Sequence, residues 1–326
     1  MRLRWPAFLL SLGALFTANA SDSQSTYEQQ AAASSLFEQR FIGFECADRT
    51  PGKSREPGVR SVASLGTQAT YKRTRPETFT LSRADVPALT ITADPSNWVE
   101  VTGSKRGDWS LRFCSQGEGN SQGEARERLE AMSISRVGSA VSLNGPAGFD
   151  RQAGTRGQLN VDAPADAPIV VHASFAPVEI RGMTGPVRVT AIHGRARILD
   201  TTGKVDATGF VVDFTGSKGT VVVSAEAEIN LKLSTTRFEG TLTAWAQRPV
   251  RVLVPQASQT PFQAVANRPQ DFVCRTDFCS KVKQEKKDGL YVFTYVGDGS
   301  TPPEQMHLRS EQATVVIDTV PARTIP

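Results

Sequence analysis

Three glycines, Gly185, Gly194 and Gly203, stand nine residues apart in "GPVRVTAIHGRARILDTTGKVDATG", and each opens a run in which small apolar and polar residues alternate. Alternation at period two marks a strand with one buried face. Its recurrence at a fixed interval marks a repeat architecture. The chain divides into "APVEIRGMT", "GPVRVTAIH", "GRARILDTT", "GKVDATGF", "VVDFTGSK" and "GTVVVSAEA", units of eight or nine residues. Apolar residues hold the third and fifth places: Val178 and Ile180, Val187 and Val189, Ala196 and Ile198, Val205 and Ala207. Val221 and Val223 follow Gly219 in the same way, and Val212 and Phe214 do so one place earlier. A looser continuation runs through Ile229, Leu231 and Leu233, then Val250, Val252 and Val254.

One such unit buries two or three aliphatic side chains, each contributing about 1.5–3 kcal/mol when fully covered. That cannot offset the entropy of ordering the unit alone, so units must stack and share a core. Glycine at the unit boundary supplies positive φ or close backbone approach where the chain turns. Gly185, Gly194, Gly203 and Gly219 are therefore read as structural turn glycines. The expected fold is mainly β: a single-stranded β-solenoid of 8–9-residue strand–turn units. The competing arrangement is an antiparallel sandwich with evenly spaced strands. Outward fourth positions carry Glu179, Arg188, Arg197 and Asp206. With two units per turn Glu179 neighbours Arg197 and Arg188 neighbours Asp206; with one, Glu179 neighbours Arg188 and Arg197 neighbours Asp206. Opposite charges meet either way, so the sequence leaves the number of units per turn open.

Upstream of the repeats, Arg2 and Arg4 precede the apolar run "WPAFLLSLGALF", and "ANA" ends at Ala20. That is the pattern of a secretory signal peptide cleaved before Ser21. The run is too short to span a bilayer, and no later stretch is apolar enough to do so. The expected divisions are a signal peptide over 1–20, a polar N-terminal segment over 21–75, and the β-solenoid domain over 76–326. The destination is the periplasm, the outer envelope or the outside of the cell. The formal charge of +4 falls to +2 without Arg2 and Arg4, too small a bias for a nucleic-acid partner. The basic stretch "KVKQEKKDG" reads as a solvated turn.

Within the polar segment, "STYEQQAAASSLFEQRF" has the spacing of a short helix and "RTPGKSREPG" reads as a loop. From Phe79 the pattern becomes strand-like in "FTLSRADVPALTITA", "WVEVTG" and "WSLRFC". One helix interrupts it, "SQGEARERLEAM". Ser121 is its N-cap with Glu124 three residues on, and Ala125, Leu129 and Met132 form an apolar stripe. Strands resume in "SISRVG" and "SAVSLNG". The helix is expected to pack on the N-terminal part of the sheet.

Four cysteines follow the leader: Cys46, Cys114, Cys274 and Cys279. In an exported chain an even count implies disulfides, and four cysteines permit three pairings. Cys274 and Cys279 lie close together in "CRTDFC" and pair locally, which leaves Cys46 with Cys114. A metal site is not expected. C-x2-C pairs are absent, and His172, His193 and His307 are scattered.

The segment "WVEVTGSKRGDWSLRFCSQ…EARERLEAMSISRVGSAVSLNG", together with the glycine-spaced repeat, resembles the bacterial putative-adhesin β-repeat family of envelope proteins over roughly residues 80 to 320. The resemblance implies an exported, mostly β solenoid without assigned catalytic residues. The cysteines and the polar N-terminal segment depart from the family pattern.

Repetitive β folds also include enzymes acting on acidic polysaccharides, so the alternative function is a polysaccharide lyase or hydrolase on a parallel β-helix. That chemistry needs carboxylates or basic groups converging on one face. Its candidates are Asp200, Asp206, Asp213, His193 and Arg197, with Asp200 and His193 at turn positions. No H-E-x-x-H or phosphate-loop pattern occurs, and "TGSKGT" lacks the phosphate-loop spacing. The expectation is a non-catalytic protein with no cofactor and no metal, presenting an extended surface for adhesion, ligand binding or envelope structure. Its partner would be an envelope or surface component, glycan or protein.

Overall fold

The structure, a computed structural model, describes residues 71–95, 97–146, 154–297 and 306–320. The expected leader, the expected helix upstream of Cys46 and Cys46 itself lie outside them. The described chain is mainly β with one α-helix. It opens with strands β1 (Tyr71–Leu81), β2 (Leu89–Ala93), β3 (Asn97–Ser104) and β4 (Trp109–Gly119). Helix α1 (Gln122–Glu130) follows, then β5 (Ser133–Val137), β6 (Ala140–Asn144) and β7 (Thr155–Pro164). The repeats form β8 (Ile169–Ala173), β9 (Val178–Arg181), β10 (Val187–Leu199), β11 (Lys204–Gly216), β12 (Lys218–Leu233), β13 (Glu239–Ala246) and β14 (Val250–Val254). The C-terminal strands are β15 (Phe262–Ala266), β16 (Phe272–Arg275), β17 (Lys283–Lys287), β18 (Leu290–Tyr295), β19 (Met306–Ser310) and β20 (Val315–Thr319).

Two parallel ladders organise these strands around one core. In the first, Ile169 of β8 lies opposite Val187, Val187 opposite Val205, Val205 opposite Val221, and Val221 opposite Leu242. In the second, Val178 of β9 lies opposite Ala196, Ala196 opposite Val212, Val212 opposite Ile229, and Ile229 opposite Val250. Strands β10, β11 and β12 run through both, with the register of β10 on β11 shifting between Ala191 and Arg195. Pairing therefore joins every second unit, and Glu179 stands opposite Arg197 while Arg188 stands opposite Asp206. The apolar columns of both ladders are fully buried in one cluster.

The order of strands departs from chain order at both ends. The pair β2 and β3 lies between β6 and β7 on one side and β8 and β9 on the other. At the far end, β19 lies between β13 and β15, and β20 lies between β14 and β16. No local pattern announces these insertions, since the partners are far apart in sequence.

Antiparallel elements close the ends. On the second ladder β4 pairs with both β1 and β7. Strand β1 starts at Tyr71, inside the segment read as polar to residue 75. It is an edge strand, half exposed and rich in Lys72, Arg73, Arg75 and Glu77, so its composition hides its conformation. Helix α1 lies on β4 where Gly117 and Gly119 leave room for Ala125 and Glu124. Ser121 Oγ accepts from Glu124 N at 3.1 Å, and Glu124 Oε2 accepts from Asn120 N at 2.7 Å. Ala125 and Met132 are buried, whereas Leu129 is half-buried.

The basic stretch read as a solvated turn is instead edge strand β17, paired antiparallel with β18 through a two-residue loop of Asp288 (φ 52°) and Gly289 (φ 82°). Positive φ at both loop positions fits the twist of a tight hairpin. All five residues of β17, "KQEKK", are exposed, and lysine on an edge discourages pairing with another chain.

At this end the core turns aromatic. Phe272 stacks on Phe293 (4.2 Å) and Phe278 on Tyr295 (4.5 Å), with Phe262 among them. The Cys274–Cys279 disulfide is formed, with 5.7 Å between its Cα atoms. It ties the turn carrying Phe278 to β16. Cys114 is buried and disulfide-bonded; Cys46 is outside the described residues. Among these residues no helix is long and apolar enough to cross a membrane.

Candidate functional site

Side chains alternate inward and outward along each strand, so each ladder presents a broad outer face, and the two faces differ in chemistry. On the first ladder, register places His172, Thr190, Thr208, Ser224, Trp245 and Arg309 in one column. Thr208 and Ser224 share a hydroxyl–hydroxyl hydrogen bond of 2.9 Å. The neighbouring column carries the Arg188–Asp206 ion pair at 3.2 Å, then Val222 and Thr243. The middle of this face is neutral and hydroxyl-lined, with an indole at one end.

The outer face of the second ladder is charged, and its charges engage one another. Arg181 pairs with Glu179 at 2.8 Å, and that hydrogen bond holds the Arg181 guanidinium above its already high pKa. Arg195 and Arg197 approach Asp213 at 3.2 and 3.6 Å, and Asn230 donates to the same carboxylate at 3.0 Å. Arg251 meets Glu228 at 3.1 Å and Arg275 meets Asp318 at 3.7 Å. A shallow groove of about 450 Å³ crosses this face on β14, β20 and β16. Leu253, Val273 and Val316 line it, with Arg251, Arg275 and Asp318 around them.

The residues named from sequence as lyase candidates occupy separate places. Asp206 is on the first face with Arg188, while Asp213 and Arg197 are on the second. His193 is at a bend between the ladders, its ring 4.6 Å from that of Phe175 and its Nδ1 buried. Asp200 occupies the next bend with φ 50°, its N–H donating to Thr215 O at 2.8 Å. Only Asp213 and Arg197 come together. Glu179 stands opposite Arg197 on its other side, and Asp213 is shared among Arg195, Arg197 and Asn230. Among the described residues no group of three or more His, Cys, Asp or Glu could hold a metal ion.

The turn glycines form columns at the bends. Gly185, Gly203, Gly219 and Gly240 follow one another at one bend, and Gly194 packs on Ala176 at the other. Among these five, φ is positive only at Gly219 and Gly240, so backbone approach is what Gly185, Gly194 and Gly203 provide. The hydroxyl column and Trp245 were not singled out from sequence. Charge marks some outward positions in the sequence, whereas Thr190, Thr208 and Ser224 follow the same alternation without it.

No family model and no curated protein sequence matches the chain. Among solved structures it is similar to a "putative cell adhesion protein" of Clostridium sporogenes at 7% identity, with 76% of this chain and 99% of that one covered and a TM-score of 0.28. It is also similar to a "putative adhesin" of Bacteroides fragilis at 10% identity, with 76% and 97% covered and a TM-score of 0.31. A third, a "putative adhesin" of Parabacteroides merdae, is 8% identical over 76% and 96% of the two chains, with a TM-score of 0.27.

Proposed function

We propose that this chain is an exported, non-catalytic β-solenoid with two strand units per turn, belonging with the putative-adhesin proteins it resembles in sequence, and that it binds a glycan of the cell envelope or surface. The separation of Asp206, Asp213, His193 and Asp200 onto two faces and two bends carries the non-catalytic part. A hydrolytic or lytic site needs its acid and base within reach of one bond. The binding part rests on the first ladder's outer face. Thr190, Thr208 and Ser224 offer hydroxyl donors and acceptors in line, and Trp245 offers a ring face of the kind that packs on sugar carbons. On the second face Arg181, Arg195, Arg197, Arg251 and Arg275 are engaged in internal ion pairs.

The test is retention of envelope glycans by the mature chain, beginning at Ser21, on an array and in a pull-down from an envelope fraction. Retention that Trp245→Ala weakens at unchanged melting temperature supports the reading. Turnover of an acidic polysaccharide, lost in a stable Asp213→Asn variant, would replace it with the lyase reading.

A further inference from the structure

The last described strands, β19 and β20, are not the last in the stack. Through β8 to β14 the chain pairs each unit with the second unit along, from Ile169–Val187 to Val221–Leu242. After β14 it runs on to β15, β16, the disulfide turn and the β17–β18 hairpin. Only then does it return to fill the place between β13–β14 and β15–β16. Leu308 lies opposite both Ala244 and Ala264, and Ile317 lies opposite both Val252 and Cys274. Met306, Leu308, Val315 and Ile317 are all buried. The parallel pairing that links the aromatic end, with Phe262, Phe272 and Phe293, to the repeats is made through these two strands.

We propose that Met306–Thr319 is a closing strap: it joins the stack last, and the aromatic end of the core docks only when it does. The physical ground is the order of entropic costs. Repeats β8 to β13 close loops of about twenty residues, whereas β13 to β19 closes a loop from Leu242 to Met306. Long-range pairings must meet the loop-closure cost before their contacts repay it, so they form late. Strands β15 and β16 have no place in the parallel ladders until β19 and β20 occupy theirs. The chain thus holds one end of its core open until β19 and β20 are available. This holds whether or not the protein binds a glycan.

Pulse-labelled hydrogen exchange during refolding of the oxidised mature chain tests the strap. Amides of β10, β11 and β12 should gain protection in an early phase, and those of β15, β16, β19 and β20 together in a later one. In the native state, Leu308→Ala should accelerate exchange in β15 and β16 on the order of tenfold or more while leaving β10 and β11 nearly unchanged. Protection of β15 and β16 ahead of β19 and β20 overturns the proposal. So does acceleration spread evenly over all the ladders by Leu308→Ala.

Discussion

Gly203 packs against the carbonyl oxygen of Gly185 too closely for a side chain to stand between them. The same relationship is repeated by Gly219 on Gly203, where a Cβ would lie 2.7 Å from the carbonyl oxygen, and by Gly240 on Gly219. The spacing of glycine in the sequence is thus the spacing of backbone crossings at a bend. Gly203→Val should destabilise the stack by about 1–3 kcal/mol through overpacking, read as a lower midpoint in thermal or denaturant unfolding. An unchanged midpoint would mean the bend can open at no cost.

Val189 faces the core between Val171 and Ala207 and is 1% exposed. Val189→Asp places an uncompensated carboxylate there, at a cost on the order of 3–5 kcal/mol. Circular dichroism should show loss of cooperative melting, with partial recovery at low pH, where the carboxyl is neutral.

At Asp200 the backbone is left-handed, with φ 50°. Asp200→Gly should leave stability unchanged or raise it, whereas Asp200→Ala should lower it by about 1–2 kcal/mol. Neither variant should alter glycan retention. Loss of retention in a fully stable Asp200→Gly protein would give this carboxylate a chemical role that its position at a bend does not.

Cys279→Ser opens the short Cys274–Cys279 loop. By loop-closure entropy the loss is about 2 kcal/mol. It should appear first at the aromatic end, as a change in near-ultraviolet dichroism from Phe278 and Tyr295, before the repeats unfold.

Arg83 and Asp166 form a two-pronged ion pair at 2.8 and 2.9 Å, joining the turn after β1 to the bend after β7. The hydrogen bond from Arg83 holds the Asp166 carboxyl below the usual aspartate range. Its stabilisation is present above the unfolded-state aspartate pKa and disappears as pH falls through the lower folded-state value. Carbon-detected NMR should show Asp166 titrating at lower pH than it does in Arg83→Gln.

What could be read from the sequence was whatever repeats locally. Val178, Ile180, Val187 and Val189 announce their burial by alternation, and each is buried. The Ser121 cap and the short spacing of Cys274 and Cys279 are local signals as well. The number of units per turn was not legible, because Arg188 finds an acidic partner in either arrangement. The register places Arg188 opposite Asp206, two units along the chain. Nor were the end insertions legible. The partners of Leu89 and Leu308 lie more than 40 residues away, and a buried leucine on an alternating strand looks the same whichever neighbour it has. The Asp288–Gly289 hairpin was announced by its turn residues, but the surrounding lysines drew the reading toward a solvated loop. On the outward faces, hydroxyls carry no sequence signature that separates a binding column from ordinary solvated strand positions.

The threading of β2–β3 and β19–β20 inward from the chain ends bears on how such a protein can change its length. A strand pair added after β20 would not by itself extend the stack, because the outermost places at that end belong to β16 and β17, which come earlier in the chain. Duplicating or deleting whole pairs in the region from β8 to β14, where ladder neighbours lie about twenty residues apart, is the change of length that leaves every other pairing in place. Natural size variants should therefore differ in the middle and keep both ends intact.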